Sequence, residues 1–218
     1  MNEYSQAGPD FRIEGARSAS GKSVRLIIIL AMALINAALL AAWWAGYGPA
    51  LSKEHSILEY VQLLVLLPGF ALFLLGWRHG DEEKKTASGA LAMLVAAAFV
   101  RELDVKTLGG PDWFRWLSHH GLQEILLVAM TLPILWYLAR RPHQWWGLIR
   151  LALAPAAIPL YIAGILLVVA VEFDRDIAVN ADLRFWEEFI ELNGYMFLVL
   201  SSWNHWLIVQ RQQGTQLS

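Results

Sequence analysis

Cysteine is absent from the 218-residue chain, which excludes disulfides, thiolate nucleophiles and Cys-ligated zinc or iron–sulfur centres together. Charge is scarce as well: 17% of residues are Asp, Glu, Lys or Arg, the net charge is −2 and the pI is about 6.3. Such a balance offers no basic surface for nucleic acid. Walker and Rossmann glycine fingerprints are missing, and GGPD at 109–112 reads as a turn rather than a phosphate cradle. What the chain has in excess is apolar character. Its residues are 57% hydrophobic with a mean hydropathy of +0.43, too apolar for a soluble domain of this size. The lipid bilayer is therefore the first partner to expect.

Residues 1–24 are polar, Gly- and Ser-containing and expected to be a disordered tail. Lys22 and Arg25 then precede an apolar run from Leu26 to Trp44, which is too long for a signal-peptide core and reads as an uncleaved signal anchor. Six segments are long and apolar enough to suggest helical spans, at about 25–46, 57–77, 86–104, 118–139, 148–173 and 185–209. The expectation is an all-α polytopic membrane protein, a bundle of six transmembrane helices over residues 25–210, with 211–218 as a short C-terminal tail.

Lys22, Arg25, Arg78, Lys84, Lys85, Arg140, Arg141, Arg150 and Arg211 fall on one side of such a bundle. By the positive-inside rule that side is cytoplasmic, as are both termini, and the opposite face looks into the periplasm of a bacterial inner membrane. Tryptophans such as Trp43, Trp44 and Trp186 near one boundary, and Trp77, Trp145 and Trp146 near the other, read as interfacial anchors.

Ionisable residues gather toward the periplasmic face. His55 and Glu59 begin the second span, His119, His120 and Glu124 the fourth, and Glu187, Glu188 and Glu191 the sixth. The third and fifth spans end there in RELD (Arg101–Asp104) and EFDRD (Glu172–Asp176). Spacing of i,i+4 puts His55 with Glu59, His120 with Glu124, and Glu187 with Glu191 on single helix faces, which Gln62 and Tyr195 extend inward. A charge placed a turn or more inside a span is costly, so these groups should face the bundle interior or water. The recurring order of acidic end, loop and HxxxE or ExxxE start suggests three hairpins in parallel arrangement.

Two explanations fit. Acidic groups at helix N-termini are favoured by the macrodipole, and Arg101, Arg175 and Arg184 could neutralise the remainder as structural ion pairs. Alternatively the groups form a functional pocket. In that case Glu59, Glu124 and Glu191 are acid–base groups or ligands, and Arg101 anchors a substrate phosphate or carboxylate. His55, Glu59, His120, Glu124, Glu187 and Glu191 would be the ligands of a zinc, iron or manganese ion, since imidazole and carboxylate are the donors left without cysteine. A haem pair is not expected, because His205 in SWNHW has no histidine at matched depth on another span. The leading expectation is a membrane-embedded enzyme with a periplasm-facing Glu/His pocket, with or without a zinc, iron or manganese ion, acting on a lipid or lipid-linked substrate. The alternative is a non-catalytic inner-membrane scaffold, partner-binding subunit or ion or solute carrier.

Overall fold

A computed structural model describes residues 10–51, 57–102, 122–176 and 181–216. Among them the secondary structure is helical, with no strand. We number the α-helices α1 (Asp10–Ala42), α2 (Gly48–Leu51), α3 (Ile57–His79), α4 (Glu82–Glu102), α5 (Leu122–Ala139), α6 (Trp145–Leu153), α7 (Ile158–Asp176) and α8 (Ala181–Gln216). A π-helical stretch, Trp43–Tyr47, joins α1 to α2 and kinks at Gly46, whose φ of 86° suits a residue without a Cβ.

The helix boundaries follow local chemistry. After α3 the chain turns through Gly80, whose N–H reaches the Gly76 carbonyl at 2.8 Å. Asp81 then caps α4, its carboxylate accepting the Lys84 N–H at 3.0 Å. Pro142 and Pro155 each open a short 3-10 segment, Pro142–Gln144 and Pro155–Ala157. Ala154, directly before Pro155, is extended (φ −67°, ψ 144°), as the ring of a following proline favours. The expected span 148–173 is consequently divided, with α6 ending at Leu153 and α7 starting at Ile158.

Among the described residues three stretches are long and apolar enough to cross a membrane, Gly21–Tyr47, Ile57–His79 and Pro155–Phe173, where six spans were expected, the fourth of them (118–139) lying partly outside the described residues. The shortfall has a physical reason in α4 and α8. Helix α4 opens on Glu82, Glu83, Lys84 and Lys85 and closes on Arg101 and Glu102, with alanine filling much of the interval. Helix α8 carries Glu187, Glu188, Glu191, Ser201, Ser202, Asn204 and His205, all buried against other helices. A helix enclosed by protein does not need the apolar surface that lipid demands.

Helix α8 is the centre of the bundle. It packs along α3 and α7 and more lightly on α1 and α4, while α4 lies between α3 and α5. One core cluster joins Leu66 and Phe73 of α3, Val95 of α4, Ala163 of α7 and Tyr195 and Leu198 of α8. A second joins Leu58 of α3 to Phe185, Leu192 and Met196 of α8, with Met32, Ile35 and Leu39 of α1 packed against it. Trp43 belongs to this second cluster, 6.1 Å from the Phe185 ring and 5.2 Å from Trp186. Trp43 and Trp186 thus contribute to packing, whereas Trp44, 85% exposed, keeps the anchor position. Outward faces are apolar: Leu26, Ile27, Leu34, Leu64, Ile165 and Val168 are all exposed. A surface of that kind suits contact with lipid.

Candidate functional site

Where α3 and α8 begin and α4 ends, three helices bring charged side chains together. We call this the acidic end, and the opposite end, around the α3–α4 turn, the basic end. At the acidic end α4 supplies Arg101 and Glu102, α3 supplies Glu59 and Gln62, and α8 supplies Arg184, Glu188, Glu191 and Tyr195.

Arg101 is the hub. Its guanidinium donates to the Glu191 carboxylate and lies 3.9 Å from that of Glu102. The Tyr195 hydroxyl donates to the same Glu102 carboxylate at 2.6 Å. This chain of contacts ties the last turn of α4 to α8 twice, at positions one helical turn apart. Glu191 is nearly enclosed and Tyr195 wholly so, yet 38% of the Arg101 side chain remains exposed. An arginine held from behind by two carboxylates keeps its outward N–H groups in a fixed direction.

A second contact fastens α3 to α8. Gln62, fully buried, donates through its amide nitrogen to the Glu188 carboxylate at 2.8 Å and to the Glu188 carbonyl at 3.1 Å. The Gln62 amide oxygen has no hydrogen-bond partner among the described residues. Nearer the edge, Glu59 and Arg184 form a part-exposed pair at 3.7 Å. Deeper in the bundle, Asn36 of α1 and Asn193 of α8 exchange two amide hydrogen bonds of 2.8 and 2.9 Å.

Of the residues expected at the site, the structure unites Arg101 with Glu191 in one pair and sets Glu59 in another with Arg184. Glu187 is buried on the same turn of α8 as Glu188. His55 and His120 lie outside the described residues, and so does the side chain of Glu124, whose backbone opens α5. Among the described residues, no group of three or more His, Asp or Glu side chains is placed to share a metal ion.

Helical spacing places Gln62 and Tyr195 on the polar faces, but the bond of Glu188 to Gln62 is not legible from it. The buried polar contacts of the basic end are likewise not anticipated from the sequence. There the Ser88 hydroxyl and His205 Nε2 lie 2.6 Å apart, both buried, and Thr86 donates to the Gln144 amide oxygen at 2.7 Å. Gly76 makes the first contact possible: a Cβ there would stand 2.6 Å from the Ser88 hydroxyl and 3.4 Å from the His205 ring. Small polar residues flanking a glycine on an adjacent helix were the available signal.

No family model, no curated protein and no solved structure matches this chain.

Proposed function

We propose that the chain is a membrane-embedded enzyme of a bacterial inner membrane. Its acidic end faces the periplasm and acts on a lipid or lipid-linked substrate arriving from within the bilayer. The observation that carries this reading is Arg101, fastened by Glu191 and Glu102 and still more than one-third exposed. A cation so oriented is suited to a substrate phosphate or carboxylate. Glu59, with 21% of its side chain exposed, is the carboxylate open to approach and acts as the acid–base group, while Glu191, Tyr195 and the more enclosed Glu102 position Arg101. No step of this reading requires zinc, iron or manganese.

Support for a lipid substrate comes from the three long apolar stretches and the exposed apolar faces around the bundle. The direct experiment compares lipid extracts of cells lacking the protein with cells producing wild type, Arg101→Gln or Tyr195→Phe, with protein level measured in each. A phosphate- or carboxylate-bearing lipid should accumulate in the deletion and persist with Arg101→Gln. Wild-type lipids in Arg101→Gln cells at normal protein level would overturn the reading.

A non-catalytic role, as scaffold, partner-binding subunit or carrier, is favoured by a different observation. Glu188 and Glu191 are 7% and 3% exposed and already hydrogen-bonded, as structural pairs are. In that case Arg101→Gln lowers the amount of folded protein and leaves lipid composition alone.

A further inference from the structure

At the basic end an apolar groove of about 500 Å³ runs along the outside of the bundle. Helix α4 is its floor, where Gly89, Ala90 and Met93 keep the surface low; Leu74 and Trp77 of α3 form one wall, and Pro133 and Tyr137 of α5 the other. Gly89 matters to this shape, since a Cβ there would come within 3.3 Å of the Trp77 ring.

The mouth of the groove is cationic. Lys85 lines it and places its ammonium 5.9 Å from the centre of the Trp77 ring. Arg141 lies over the Tyr137 ring at 4.4 Å. Both aromatic rings are themselves groove walls, so each wall ends in a positive charge steadied by the ring beneath it. Lys85 is exposed and Arg141 half-buried, so their N–H groups are open to a ligand. The surrounding charge has the same sign. Residues 78–85 and 140–150 hold six Lys or Arg against three carboxylates, and Asp81 among the latter is paired with Lys84.

We propose that this groove holds one acyl chain of an anionic phospholipid, whose phosphate is bound by Lys85 and Arg141. Apolar walls suit the chain, and two cations at one end suit a phosphate rather than a zwitterionic surface as a whole. The site is at the opposite end of α4 from Arg101. The proposal rests on the chain lying in a membrane and not on the enzyme reading.

The test uses the full chain purified in detergent, stripped of lipid, and offered equimolar phosphatidylglycerol and phosphatidylcholine with identical acyl chains. Native mass spectrometry counts the lipids retained. One phosphatidylglycerol per chain should be held, and Lys85→Gln with Arg141→Gln should reduce its preference over phosphatidylcholine by about tenfold, from the loss of two basic contacts. Met93→Trp, which fills the floor, should abolish retention of both. Arg101→Gln should retain the lipid whether or not it alters cellular lipids, which separates this proposal from the enzyme reading. Stepwise addition without a one-lipid plateau would mean surrounding lipid only and would overturn the proposal. So would a lipid-free dimer, or an unchanged preference in the Lys85/Arg141 double variant, whose open side chains can be replaced without touching the core.

Discussion

Near its start, α8 meets its neighbours through charge: Glu191 with Arg101, and Glu188 with Gln62. Near its other end the contact is neutral: His205 with Ser88, beside Thr86 with Gln144. Among these eight side chains Arg101 alone keeps substantial exposure. The Arg101 side chain is 38% exposed at the acidic end, whereas Ser88, Gln144 and His205 at the basic end are 0%, 2% and 6% exposed. Full burial of an ion pair carries a desolvation cost that its attraction scarcely recovers, while a hydroxyl or imidazole can be enclosed at the cost of a single hydrogen bond. The bundle therefore keeps its ion pairs where water or headgroups still reach and uses uncharged pairs where nothing does.

The largest break in this comparison should come from Arg101→Leu, which leaves Glu191 facing a lost partner. Removing one member of a buried pair costs about 3–5 kcal/mol, and the partial exposure of Arg101 puts the expected loss at the lower end. Unfolding in a denaturing detergent titration measures it. Adding Glu191→Gln should recover part of the loss, because the stranded charge is then gone. Failure to recover would mean that Arg101 acts chiefly through Glu102.

Gly76→Ala should come next, at about 1–3 kcal/mol, because the added methyl collides with the Ser88 hydroxyl at 2.6 Å. In a Ser88→Ala background the same change should cost less, and this non-additivity is the sharper reading of the contact. Ser88→Ala alone should cost about 1 kcal/mol, the value of one hydrogen bond between membrane helices. Smallest of all should be Asn36→Ala, at about 0.6 kcal/mol, since Asn193 keeps its bond to the Phe189 carbonyl at 2.8 Å when its partner is removed. If Ser88→Ala proved as costly as Arg101→Leu, the distinction between the ends would fail.

Much of this molecule is legible in its sequence, but unevenly. The all-helical class follows from long apolar runs such as Leu26–Trp44, and the acidic end from ionisable residues placed a turn inside them. Which side chains meet is less accessible. Helical periodicity shows that Glu59 and Gln62 share one side of α3, yet not that the first turns to Arg184 and the second to Glu188. That choice is made by how α3 and α8 pack, which no local pattern encodes. Among the described residues the count of apolar spans falls below six for a related reason: hydropathy reports contact with lipid, and α8 is mostly in contact with protein. His205 illustrates the same limit. Considered alone it lacks a histidine partner, but it lies beside a serine more than a hundred positions earlier in the chain.

Helix α8 also follows every helix it binds, and this order matters while the protein is being made. Gln62, Ser88 and Arg101 leave the ribosome well before the residues that satisfy them, Glu188, His205 and Glu191. Until α8 emerges, these three side chains must wait in water, at the lipid surface or against the insertion machinery, because hydrocarbon offers them nothing. The apolar stretches Gly21–Tyr47, Ile57–His79 and Pro155–Phe173 can partition into the bilayer on their own hydropathy. The closing of the bundle is thus a late event, since a nascent chain halted before α8 lacks the helix that partners Gln62, Ser88 and Arg101.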